Sequence, residues 1–120
     1  MKVSELIKAI EENKVRSAWD KAVNEYAIEL LEQLNKDDDF VGSPADKKSL
    51  LNGADNWSQF SYGGCSLIYN GDIAERVCSP SEFKKSKEGE RNPNSREEWL
   101  DVQTRALTQA SNRIVKIAKM

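Results

Sequence analysis

The chain has no histidine, so the side chain most often used as a general base and as a metal ligand is missing. It has only two cysteines, Cys65 and Cys78, in 120 residues. They lack the partnering Cys or His set that a zinc site needs, and a Cys nucleophile would lack its usual base. Two cysteines are also too few for a disulfide framework, and they fit reduced thiols in a cytosolic protein. No apolar run approaches the length of a bilayer span, and Met1-Lys2-Val3-Ser4-Glu5 lacks the apolar core of a secretory signal. A cytoplasmic protein with no membrane segment is the expectation. Gly63-Gly64 is too short to cradle phosphate, and no Walker-type lysine follows it. With no convergent constellation of catalytic groups, the expectation is a protein that is not an enzyme and uses no metal and no cofactor.

What is present points to helices. Charged residues make up 32% and the hydrophobic set 38%, a balance suited to a heavily solvated helical protein. The length suits a single helical domain over 1–120, with one core. The net charge of −2 is uneven: residues 1–71 carry a balance of −4 and residues 72–120 a balance of +2. A dedicated nucleic-acid binder is usually more basic.

Val3, Leu6, Ile7 and Ile10 have helical spacing, with Ser4 placed as an N-cap. Val15, Trp19, Ala22, Val23, Tyr26, Ala27, Leu30, Leu31 and Leu34 form a second stripe on the opposite side, so we expect a break near Asn13-Lys14. A long helix should then run from about Val15 to Asn35. Asp37-Asp38-Asp39 ends it. This run is not a calcium loop, because Val41 and Lys48 stand where oxygen ligands are needed. A solvated acidic loop is the better reading. Ser43-Pro44 opens a short helix that Asn52-Gly53 should stop.

Trp57, Phe60, Tyr62 and Tyr69 follow, four aromatics in 13 residues. They suit an aromatic wedge closing one end of the core, and the rival reading is a partner-facing surface that includes Trp57, Phe60 and Tyr62. Asn70-Gly71 signals a type I′ hairpin, which makes a short β-hairpin over 65–77 the rival to helix. The helix formers Ala74-Glu75-Arg76 favour helix there. The last segment has a Ser95-x-x-Glu98 capping box, followed by Trp99, Leu100, Ala106, Leu107, Ala110, Ile114, Ile117 and Ala118 on one face. A helix from Arg96 to about Ala118 should pack on the Val15–Asn35 helix, with Arg113, Lys116 and Lys119 suiting its C-terminal dipole. The fold class is all-α, with two long amphipathic helices bracketing short capped ones.

Between them lies Asp72 to Pro93. Ser79-Pro80-Ser81-Glu82 is a capping box with proline at the first helical position. The Ile73-Ala74-Glu75-Arg76-Val77 … Ser79-Pro80-Ser81-Glu82 … Glu88-Gly89-Glu90-Arg91-Asn92-Pro93 series resembles repressor-type helix-turn-helix proteins of the Cro family. The resemblance implies DNA binding, with Ser81, Lys84 and Lys85 facing the duplex and Lys87 near phosphate, joined by Arg91. Here the turn around Cys78 is one residue shorter and lacks the family's glycine. The alternative is a capped hairpin whose lysines are a solvated face.

A wider resemblance rests on Lys14-Val15-Arg16-Ser17-Ala18-Trp19-Asp20, on Asn56-Trp57-Ser58-Gln59-Phe60-Ser61-Tyr62-Gly63-Gly64-Cys65-Ser66-Leu67-Ile68-Tyr69, and on Glu90-Arg91-Asn92-Pro93-Asn94-Ser95-Arg96-Glu97-Glu98-Trp99-Leu100. These segments resemble small proteins of phages and integrated elements of Gram-positive bacteria, a group that brings no established activity. The resemblance implies a mobile-element accessory protein. Two functions are expected from it. One is a protein-binding inhibitor of a host nucleic-acid-targeting complex, similar in kind to anti-CRISPR proteins, with a CRISPR effector nuclease as partner. Its surface would combine Asp37, Asp38 and Asp39 with exposed aromatics. The other is a helix-turn-helix DNA-binding regulator.

Overall fold

The structure is a computed structural model that describes residues 1–56, 58–62, 65–70, 73–78 and 96–120. The elements run α1 (Val3–Glu11), α2 (Ala18–Glu32), α3 (Pro44–Asn56), β1 (Ser58–Tyr62), β2 (Cys65–Asn70), β3 (Ile73–Cys78) and α4 (Arg96–Ala118). The described chain is mostly helical, but the all-α expectation needs correction, because the three strands form an antiparallel sheet in the order β1-β2-β3. No described helix is long and apolar enough to cross a membrane.

The break between α1 and α2 falls where the two stripes change sides. Ser17, not Ser4, is the side-chain cap that matters: its hydroxyl accepts from the Asp20 N–H at 3.0 Å, and it donates to the Asp20 carboxylate at 2.9 Å. Ser4 lies inside α1, whose N-cap is Lys2. There the Glu5 carboxylate reaches back to the Lys2 N–H at 3.2 Å. The α2 stripe is buried as its spacing requires, from Trp19 through Val23, Tyr26 and Ala27 to Leu30 and Leu31. Helix α4 packs against it through Val102, Ala106, Ala110 and Ile114.

Helix α3 starts at the expected Ser43-Pro44, with the Ser43 hydroxyl accepting from the Asp46 N–H at 3.2 Å. It does not stop at Asn52-Gly53 but continues to Asn56. Gly53 costs helix propensity of about 1 kcal/mol. A Cβ there would sit 3.1 Å from Oε1 of the exposed Gln33 side chain at the end of α2, a contact that a small shift of that side chain relieves.

Phe60 and Tyr62 of the aromatic stretch lie on the first strand. Ser58, Phe60 and Tyr62 alternate with Gln59 and Ser61, and the first set is buried. Phe60 stands opposite Leu67 of β2, and both are fully buried. The Trp19 ring meets Phe60 and Tyr62 edge-on, at centroid distances of 5.5 and 5.3 Å, and Tyr26 meets Phe60 at 5.4 Å. Phe60 and Tyr62 of the expected wedge thus pack in the core, with Trp19 and Tyr26 of α2 as their ring partners. The hairpin reading of 65–77 holds, and the helix preferred for Ile73–Val77 does not form. Residues 73–78 pair with β2 from Asn70↔Ile73 to Cys65↔Cys78. Propensity differences of a few tenths of a kcal/mol per residue do not outweigh six paired positions in a sheet seated on the core.

Two polar networks join α2 to α4. In the interior, the Gln103 amide donates to the Ser58 hydroxyl at 2.9 Å and to the Tyr26 hydroxyl at 3.2 Å, while those two hydroxyls lie 3.1 Å apart. The Gln103 Oε1 is buried with no hydrogen-bond partner. At the periphery, Arg113 donates to the Asp20 carboxylate at 3.0 Å and to the Asn24 Oδ1 at 2.7 Å. Asn24 in turn donates to the Asn13 carbonyl at 3.1 Å, which fixes the turn between α1 and α2. Arg113 therefore acts through Asp20 and Asn24, not only through the dipole of its own helix.

Candidate functional site

The acidic loop after α2 is a built structure rather than a solvated tail. Helix α2 ends in a tightened turn, with the Leu34 N–H bonded to the Leu31 carbonyl at 3.0 Å. Asn35 then folds the chain back, its side-chain oxygen accepting from the Asp37 N–H at 3.0 Å. The first N–H groups of a helix have no partner within it. In α1 the Val3 and Ser4 N–H groups donate to the Asp38 carbonyl at 3.0 Å and the Lys36 carbonyl at 3.2 Å. The Phe40 N–H donates to the Met1 carbonyl at 2.7 Å, and Lys2 forms a bridge with Asp39. Buried Phe40 anchors the far end.

Three consecutive carboxylates repel one another, and their placement offsets part of this. The N-terminal end of α1, which carries partial positive charge, is bonded to the loop that bears them. The Met1 ammonium lies 3.2 Å from Asp39 Oδ1, an exposed pair that contributes little to stability. Asp37, Asp38 and Asp39 all remain exposed.

A fourth carboxylate joins them. Asp46, in the first turn of α3, accepts from the Val41 N–H at 2.9 Å. That bond, with help from the Ser43 hydroxyl and the N–H groups of Ser43 and Gly42, holds its pKa below the usual 3.8. Asp38, Asp39 and Asp46 border one surface groove of about 260 Å³ floored by Val3, Leu34 and Phe40. Gly42 makes the turn between loop and helix with φ of +79°, where a Cβ would lie 3.2 Å from Val115 Cγ1. The turn is thereby held against the last turns of α4. Sequence reasoning missed Asp46, although Ser43-x-x-Asp46 has the spacing of a capping box and signalled it.

The other expected site residues fall elsewhere. Phe60 and Tyr62 are core residues and do not border the groove, so the partner surface assigned to them is corrected. Trp57 lies outside the described residues. So do Ser81, Lys84, Lys85, Lys87 and Arg91, together with the caps at Ser79-Pro80 and Ser95. The helix-turn-helix reading loses its first helix, because Ile73–Cys78 is a strand.

Chemically the groove presents fixed negative charge and hydrogen-bond acceptors. Among the described residues no group of three His, Cys, Asp or Glu side chains could hold a metal ion. The one described carboxylate with a raised pKa is Glu29, half-buried on α2. Burial pushes it up, the bond it accepts from the Gln59 N–H at 2.7 Å pulls it down, and neighbouring Glu32 adds to the rise. That carboxylate fastens the start of β1 to α2. No protein-family model matches the chain, and no curated protein or solved structure shows significant similarity to it.

Proposed function

We propose that this is a non-catalytic accessory protein of a mobile element that binds and inhibits a host nucleic-acid-targeting complex, in the manner of anti-CRISPR proteins. The observation that supports the reading most is the acidic groove. Asp38, Asp39 and Asp46 border it on a backbone tied down by α1, and Asp37 stands beside them on the same loop. Proteins that hold nucleic acid do so with Arg and Lys placed to meet phosphates. A row of preorganised carboxylates presents the same charge sign and the same acceptor chemistry to that surface. Preorganisation matters because a loop already ordered loses little entropy on binding. Charge complementarity of this kind speeds encounter and sets specificity.

The test uses a CRISPR effector nuclease with its guide, the purified protein and target duplex. Co-purification with the effector and loss of cleavage are expected, with binding weakened about tenfold or more when Asp37, Asp38 and Asp39 are all changed to Asn. Unchanged cleavage across several effector types, at excess protein, would remove the proposal. Direct binding of random duplex DNA that weakens steeply with salt would instead favour a DNA-binding regulator.

A further inference from the structure

The two cysteines of the chain are 13 residues apart in sequence, and the β2–β3 ladder makes them direct partners. Cys65↔Cys78 is the last pair of that ladder, at the end opposite Asn70↔Ile73. In an antiparallel ladder, residues directly opposite each other have Cα atoms about 4.5 Å apart in one kind of pair and about 5.5 Å in the other. A disulfide asks for a Cα separation of roughly 4.4–6.8 Å. Either kind of pair falls within that range, so the register sets the two backbone positions at a separation that a disulfide can span. The placement of β2 is itself secured by Leu67, fully buried opposite Phe60, since a slip by one residue would turn Leu67 away from the core.

We propose that Cys65 and Cys78 are a redox pair that closes to a cross-strand disulfide. The proposal is independent of the acidic groove and of any partner. The oxidant is a small-molecule disulfide such as oxidised glutathione. One cysteine thiolate attacks it, forming a mixed disulfide and releasing one glutathione thiolate. The second cysteine thiolate then attacks the protein-side sulfur and releases the other. Each cysteine gives up its proton to solvent, two electrons pass to glutathione, and one S–S bond replaces another. The closed form ties the two strands covalently at the open end of the hairpin. The sequence by itself gave no sign of this, since it supplies two thiols with no indication that they meet.

The experiment equilibrates the full chain in glutathione buffers from fully reduced to fully oxidised, then quenches with acid, alkylates and weighs the intact protein. The expected product under oxidation is a monomer lighter by two hydrogens, protected from alkylation, with a Cys65–Cys78 link in its peptide map. The reduced chain should also be captured by a trivalent phenylarsenical that bridges two sulfurs. Cys65→Ser and Cys78→Ser should each abolish that capture and give glutathione adducts instead. Two alkylatable thiols in oxidised glutathione, or adducts and intermolecular dimers in place of the internal link, would overturn the proposal.

Discussion

Arg113 and Gln103 lie on the same helix, ten residues apart, and both reach across to α2, yet they are satisfied to different degrees. Arg113 is half-buried, and its guanidinium meets a carboxylate, an amide oxygen and the Asp20 carbonyl, the last at 3.3 Å. Gln103 is 7% exposed, and its amide nitrogen is used twice while its oxygen is used not at all. Turning the amide over would exchange the orphan oxygen for an orphan nitrogen without removing it. The charged network near water leaves none of its described buried atoms without a partner, and the neutral one in the core carries a built-in deficit. A buried polar group without a partner costs about 1–3 kcal/mol, so the interior network orders the core at a cost in stability.

This contrast can be broken in steps of decreasing size. Ser58→Ala should cost about 2 kcal/mol, because it takes one acceptor from the Gln103 nitrogen and leaves a second amide group short of a partner. Its urea midpoint should fall by the same amount at low and high salt. Arg113→Met should cost about 1 kcal/mol, since buried Asn24 loses its donor and the partly exposed ion pair with Asp20 is lost. This loss should shrink as salt rises, which the Ser58 variant should not show. Gln103→Leu should change stability by less than about 0.5 kcal/mol or raise it, because the orphan leaves with the amide and the Ser58 and Tyr26 hydroxyls keep each other. A loss comparable to that of Ser58→Ala would show that the deficit is not real.

The smallest effect is at Glu29, whose folded pKa lies above its usual 4.5. Between those two values the folded state holds more protons than the unfolded state. Its contribution is therefore neutral below pH 4.5 and destabilising above the raised value, and stability is lost as pH rises through that window. Glu29→Gln keeps an acceptor for the Gln59 N–H and should flatten this slope, with a slightly higher melting temperature at pH 7 and none of the gain at pH 4.

Much of the helical frame was legible because it repeats. The stripe from Trp19 to Leu31 and the stripe from Ala106 to Ile114 each recur at helical spacing, and α4 spans the Arg96–Ala118 expected from its capping box and stripe. The sheet was harder to read. Ala74-Glu75-Arg76 have the local preference of a helix, and only the partner strand, supplied by residues 65–70, makes them extended. Asn70-Gly71 did mark the reversal between β2 and β3. The alternation of Ser58, Phe60 and Tyr62 was on the page too, but the buried serine hid it, since only its bonds to Tyr26 and Gln103 make Ser58 an inward residue. Within the groove, Asp38 and Asp39 were plain as a run of charge. The groove itself was not, because it depends on α1 lending its first N–H groups to a loop more than 30 residues away.

The contacts that fasten α4 to α2 also set a schedule for the newborn chain. Trp19 finds Gln109 across 90 residues, and Asp20 finds Arg113 across 93. Until α4 has been synthesised, Trp19, Asp20 and Asn24 of α2 lack Gln109 and Arg113, and the core lacks Val102, Ala106, Ala110 and Ile114. Non-local closure of this kind is slow and leaves apolar surface open in the meantime. Translation must therefore run well into α4 before α2 can settle, and a nascent chain stalled short of Val102 would present a greasy α2 to the chaperones around it.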